Sequence, residues 1–297
     1  MKKYIFTILA AASVMMLASC QEDTLAEQSV ITIDKVVTTE FDEWLEENFV
    51  NPYNIQFKYR YEEIEADYNY YTIPAYYDMA VKMAHLVKHL CLEAYDEAGG
   101  IGFTRRYFPK LIFLIGEWEY KNNGTYILGT AEGGRKITLA GANYLDSSIG
   151  SARLLNQRYF KTVHHEFTHI LNQTMSLPTD YQFITGNDYV GGEWSNAPYN
   201  AGYLKRGFIS SYAQESYTED FAEMLAMYVC YDNEQWDEWL TEAGDGAELI
   251  LAKLSLVRSY MKETFKIDID QLKAAIQRRQ NDIITGKIDL EDISINK

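Results

Sequence analysis

From Ala75 to Ala98 apolar residues recur at helical spacing, with Met79, Met83, Leu86, Leu90 and Ala94 three or four apart. The pattern predicts a long amphipathic helix, closed by Gly99-Gly100. A second long helix is expected from about Ser151 to Thr174. There Tyr159, Phe160, Val163, Phe167, Ile170 and Leu171 make the apolar stripe. Three more helices are expected near 215–231, 245–264 and 268–283. A short helix near 40–49 precedes a strand at Ile55–Tyr61, and the run Lys110–Gly116 reads as a buried strand. Thr125–Thr130 and Lys136–Ala140 look like two more strands. After Leu177-Pro178 a long stretch rich in Gly, Asn, Tyr and Pro runs to about Ser210. A loop of that length in a compact domain is usually functional, and its aromatic content argues against disorder. Long helices following a small sheet point to an α+β fold.

Composition sharpens this only in places. With 297 residues, 47% apolar and 24% charged, the chain has the makeup of a globular protein with a sizeable core. Its formal charge of −16 becomes two units more negative without Lys2 and Lys3. Such an acidic chain is a poor partner for nucleic acid, whose phosphates need Lys and Arg. The start, MKKYIFTILAAASVMMLASC, has the layout of a secretory signal and is too short for a stable membrane span. Leu17-Ala18-Ser19-Cys20 resembles a bacterial lipobox, which makes Cys20 the expected lipidation site and mature N-terminus. Glu22 and Asp23 resemble the export signal of surface lipoproteins in Bacteroidota. The expected location is the cell envelope, on the outer membrane and surface-exposed, held through lipid only. Residues 1–19 are expected to be the signal peptide and 20–40 a tether. Residues 41–297 form one domain, its upper part about 41–175 and its lower part about 176–297. Cys91 and Cys230 sit in no CxxC pattern and read as buried apolar residues. The glycine-rich GTAEGGRK lacks the phosphate-loop pattern and reads as a turn between strands.

The candidate chemistry lies in HHEFTHILNQ, residues 164–173. His165-Glu166-Phe167-Thr168-His169 fits HExxH. Residues four apart are neighbours on one helix face, so both imidazoles can address one ion. Glu166, turned by about 100° from His165, can reach a water beside that ion without binding it, and so act as general base. His165 and His169 fall opposite the apolar stripe, which leaves them facing a cleft. His164 points elsewhere and is expected to pack or to hydrogen-bond. A catalytic zinc needs a third protein ligand. One source is the pair His85 and His89, where Lys88 is a repelling cation and no carboxylate intervenes. The other is Glu219 in the helix that follows the long loop, with Glu223 one turn further on. A carboxylate in that second position can fix a ligand histidine's tautomer.

HExxH followed by a helical glutamate resembles the gluzincin metallopeptidases. Ser211-Tyr212-Ala213 and Glu219-Asp220-Phe221-Ala222-Glu223 resemble the catalytic domain of anthrax lethal factor. That resemblance implies that Glu219 is the third ligand and Glu223 its supporting acid. It implies that Tyr212 offers a hydroxyl to the developing oxyanion. More widely, NPYNIQFKYRY, RRYFPK, GTAEGGRKI, HHEFTHIL, GFISSYA, TEDFAEM and the lipobox resemble the substrate import-associated zinc metallohydrolase lipoproteins of Bacteroidota. Membership implies a zincin-like fold, with a small mixed sheet and the HExxH helix above a mainly helical C-terminal part. It implies a TonB-dependent import pair as partner but does not establish the substrate; a peptide or glycopeptide is the expected substrate, and three converging ligands are expected to hold one Zn2+ per chain. Gly191–Arg206 is expected to line or lid the cleft, and Lys136–Ala140 to be the strand edging it. The rival reading is a non-catalytic surface protein that captures glycan or peptide for a transporter. Twenty-four tyrosines leave room for it, and the intact Glu166 argues against it.

Overall fold

Thr39 caps the helix Glu40–Leu45: its hydroxyl accepts from Asp42 N, and the Asp42 carboxylate accepts from Thr39 N. This reciprocal arrangement satisfies two backbone donors that a helix start otherwise leaves open. The computed structural model describes residues 38–67, 69–120, 126–127, 129–132 and 135–295. The expected signal segment, Cys20 and most of the expected tether lie outside the described residues, as do Gly133 and Gly134 of the glycine-rich turn.

Six strands are described: β1 (Gln56–Lys58), β2 (Leu111–Leu114), β3 (Glu119–Tyr120), β4 (Tyr126–Ile127), β5 (Gly129–Glu132) and β6 (Lys136–Leu139). The main sheet runs β1-β2-β6-β5, and β3 pairs with β4 apart from it. β1, β2 and β6 are parallel, whereas β5 is antiparallel to β6. The sheet is therefore mixed, as expected. Parallel strands are covered on both faces and read as continuous apolar runs. Ile112, Phe113 and Leu114 accordingly are all buried.

Two expectations need correction. The span Thr125–Thr130 is not one strand, since Tyr126–Ile127 and Gly129–Glu132 belong to different sheets; Thr125 and Leu128 lie outside the described residues. Lys136–Leu139 is not an edge, because it is bonded to β2 on one side and β5 on the other. β5 holds the edge and packs against the helix Lys161–Thr174. Gly129 permits that approach: a Cβ there would meet Thr162 Cγ2 at 3.0 Å and Thr138 O at 2.6 Å.

The helix expected over 75–98 divides into Tyr77–Val87 and Glu93–Gly99, joined by a π-turn at Lys88–Leu92. The wider turn carries an extra residue and shifts the helical phase. His85 and His89 therefore go to different neighbours. The ring of His85 packs 4.3 Å from Trp44, and His89 Nδ1 lies 3.0 Å from a Glu93 oxygen. The next long helix contains the same device, with Ala152–Leu155, a π-turn at Asn156–Phe160, then Lys161–Thr174. Tyr217–Cys230, Gly246–Phe265 and Ile269–Ile284 fall within two residues of the expected helices. Ile101–Tyr107 and Asn233–Ala243 are additional. The second is started by Asp232, whose side chain accepts from Gln235 N, and buries Trp236.

Phe167 anchors the helix Lys161–Thr174 in the core. It is fully buried, with Tyr95 and Phe108 each 4.8 Å away between ring centroids. Burying such a side chain contributes roughly 1.5–3 kcal/mol. This fixes the helix about its own axis, and so fixes where its opposite face points.

Candidate metal centre

His165, Glu166 and His169 stand on the helix Lys161–Thr174, and Glu219 in the first turn of the helix Tyr217–Cys230, against which the first helix packs. Ser216 caps that second helix by accepting from Glu219 N at 3.3 Å. Ser216-x-x-Glu219 is the sequence of a capping box, yet only this half of it forms. The Glu219 carboxylate goes to the histidines instead.

Three donor atoms converge there. His165 Nε2 lies 3.0 Å from Glu219 Oε2, His169 Nε2 lies 3.2 Å from the same oxygen, and the two imidazole nitrogens are 3.0 Å apart. Among the described residues this is the one group of three or more His, Cys, Asp or Glu side chains that could hold a metal ion. The fit to zinc is close. Bonds of about 2.0–2.1 Å in a tetrahedral set give ligand-to-ligand edges of roughly 3.3 Å. Two imidazoles and a carboxylate are also ligands that zinc favours. Without a cation or proton between them, the two nitrogen lone pairs and the carboxylate would repel one another.

The surroundings set the charges. Burial disfavours a charged Glu219, but the two histidines outweigh it and hold its carboxyl well below the usual range. Burial likewise disfavours a charged His165, and Glu219 and Glu223 outweigh it, raising the ring to about 9. Glu223 Oε1 lies 2.8 Å from His165 Nδ1, on the side of the ring away from Glu219. The contact has the distance of an ion pair without the direction of a good hydrogen bond. Burial would neutralise Glu223, but Lys161, 2.8 Å from the same oxygen, and His165 keep it ionised. Ser210 Oγ donates to its other oxygen at 2.7 Å. Glu223 thus stands beside His165. Lys161 and Ser210 belong to the same network, and Lys161, one turn before His165, lies on the metal face of the helix.

His164 is fully buried and 3.1 Å from the Tyr95 hydroxyl. Burial lowers its ring to about 3, so it stays neutral and packs, as expected. His85 and His89 are not part of the converging group.

A cleft of about 480 Å³ opens beside the donors, lined among others by Glu166, His169, Asn172, Tyr212 and Glu219. Burial raises the phenol of Tyr212, with Glu219 and Glu215 adding to it, so the hydroxyl remains protonated and able to donate. From Gly191–Arg206, Trp194 meets Tyr212 edge-on at 5.0 Å. Val190 N donates to Gln214 O at 2.8 Å and Gly191 N to Glu215 O at 3.2 Å, fastening that segment beside the tyrosine.

Behind Glu219 the helix is held by a buried ion pair. Lys253 Nζ lies 2.6 Å from Asp220 Oδ2, and neither side chain is exposed. Lys253 also donates to Gly207 O at 2.9 Å, and Tyr189 OH donates to Asp220 Oδ2 at 2.9 Å.

A family model described as "Putative zinc-binding metallo-peptidase" matches residues 34–270. A crystal structure of a "putative zinc-binding metallo-peptidase" from Bacteroides caccae is 44% identical, with a TM-score of 0.75. The match covers 86% of this chain and 96% of that one. No curated protein matches the chain. The family match spans most of the sequence, and the fold is the zincin-like mixture of small sheet and long helices, so the chain belongs to this family of zinc-binding metallopeptidases.

Proposed function

We propose that the protein is a zinc-dependent peptidase of gluzincin type, with one zinc held by His165, His169 and Glu219. The observation that carries this reading is the convergence of those three donor atoms at 3.0–3.2 Å, in a cleft also lined by Glu166 and Tyr212. Zinc bound there supplies Lewis acidity, polarising a carbonyl and making water easier to deprotonate. Glu166 takes the proton from the attacking water and delivers it to the leaving amine. The Tyr212 hydroxyl donates to the oxygen on which negative charge develops. Glu223, kept ionised by Lys161, orients His165 from behind.

The test separates binding from chemistry. Glu166→Gln should keep zinc, measured by metal analysis of the purified protein, and lose peptide hydrolysis. Glu219→Ala should lose zinc. Retained turnover in the first variant, or unchanged zinc affinity in the second, overturns the assignment.

We further propose that Cys20 carries lipid, placing the protein on the outer membrane and at the cell surface, beside a TonB-dependent import pair that takes up its products. The support is the signal layout and the family resemblance. Cys20→Ala should move the protein from the membrane fraction to the soluble fraction, and a protein that stays on the membrane sinks the idea.

A further inference from the structure

Asn172 stands seven residues after His165 and three after His169. On an α-helix those spacings put it on the metal face, within about 60° of both histidines. It lines the cleft beside them. Both polar atoms of its side chain, Nδ2 and Oδ1, are buried and have no protein hydrogen-bond partner. Folded proteins rarely leave a donor and an acceptor of one side chain unpaired, because each unmet group weakens the fold. Among the described residues other buried amides are paired: Asn156 Nδ2 donates to Cys230 O, and Gln280 Nε2 donates to Asn156 Oδ1. Asn172 thus combines an unpaired amide with a place on the cleft wall.

We propose that Asn172 is a substrate-binding residue that hydrogen-bonds one backbone amide group of a peptide lying across the zinc site. Its planar carboxamide offers one acceptor and a donor group side by side, the complement of a peptide's N–H and C=O. Binding requires a turn about its side-chain bonds that brings these atoms to the cleft surface, and no hydrogen bond of the side chain has to break for it. This contact favours a polyamide over a substrate that lacks amide hydrogens, such as an ester. It recognises the main chain and so leaves side-chain preference to other walls of the cleft. The inference rests on the peptidase reading.

The experiment uses the zinc-loaded protein and a pool of quenched-fluorescent decapeptides, with kinetics on the member cut fastest. Asn172→Leu keeps the shape and removes both hydrogen-bonding groups; Asn172→Asp keeps acceptor oxygens and removes the donor. The expected result for N172L is unchanged zinc content, an unfolding temperature equal to or above wild type, and a KM raised roughly tenfold with kcat little altered. N172D should fall between the two. An ester-for-amide scan of the same peptide should find one position where the ester slows the wild type and makes no further difference to N172L. If the wild type cuts no member of the pool, the peptidase reading falls and this proposal with it. If the wild type cuts and N172L keeps its KM, this proposal alone is wrong. A fall of several degrees in the unfolding temperature of N172L would show instead that the amide serves the fold, and that too overturns it.

Discussion

Lys161 and His165 stand one helical turn apart and meet the same atom: Glu223 Oε1 is 2.8 Å from Lys161 Nζ and 2.8 Å from His165 Nδ1. The lysine therefore decides the charge of the carboxylate that supports a metal-face histidine. Lys161→Met leaves Glu223, which is 1% exposed, without its strongest counter-charge. Its carboxyl then rises with burial, and His165 loses an ionised partner. The expected outcome is a zinc affinity lower by on the order of tenfold, within the range for loss of such supporting contacts. Competition with a fluorescent zinc chelator measures it. Unchanged affinity would mean that Ser210 alone suffices to hold Glu223 in place.

The buried pair Lys253–Asp220 makes a prediction about stability. A charge whose partner is removed inside a protein is costly, whereas replacing both partners by apolar groups is often close to neutral. Lys253→Met should destabilise the protein by about 3–5 kcal/mol in urea unfolding. The double variant Lys253→Met with Asp220→Leu should recover most of that loss. Equal destabilisation of single and double variants would show that packing around the lysine stem matters more than the charge.

Much of the site was legible in the sequence because its chemistry follows helical spacing. HExxH sets two imidazoles on one face whatever surrounds them. Glu219 and Glu223 were legible for the same reason, one turn apart on a well-phased helix. Lys161 carried a signal too, four residues before His165, but its role depends on Glu223, which only the packing of two distant helices brings near. Ser210 gave no such signal. The helix Asn233–Ala243 had one, in Trp236, Trp239 and Leu240 behind the capping residue Asp232. Strand order was not legible. Parallel neighbours are paired through long crossovers, so nothing local tells that Lys136–Leu139 is interior and Gly129–Glu132 the edge. The π-turns were likewise hidden, since a shift of one residue leaves the apolar pattern almost unchanged.

Glu93 makes a prediction about acid. Burial raises its carboxyl, but hydrogen bonds with His89 and Lys88 and the charge of Arg279 outweigh that and lower it from 4.5 to about 2. A folded-state value below the unfolded one stabilises the protein above the unfolded value, and this contribution disappears as pH falls through the folded value. Glu93→Gln should therefore cost roughly 2 kcal/mol at pH 7. The gap from wild type should narrow below pH 4.5 and close near pH 2. Urea unfolding of both proteins across that range measures it, and a gap independent of pH would exclude the ion-pair origin.

Tyr212 offers the sharpest separation of fold from chemistry. Its ring is held edge-on by Trp194 at 5.0 Å, and its hydroxyl stays protonated because burial and the nearby Glu219 and Glu215 raise it. Tyr212→Phe keeps the ring and that contact, and removes one donor. An oxyanion donor acts as charge develops on the substrate and does little for the substrate beforehand, so its loss appears in kcat more than in KM. The expected result on a cleaved peptide is a kcat lower by on the order of 10²–10³, an unchanged zinc content and an unchanged unfolding temperature. A comparable rise in KM with kcat preserved would make the hydroxyl a ground-state contact. Unchanged kinetics would move the oxyanion donor to another residue of the cleft. Trp194→Ala, which leaves the hydroxyl but loosens the ring, should lower kcat by a smaller factor, and Trp194→Phe should restore part of it.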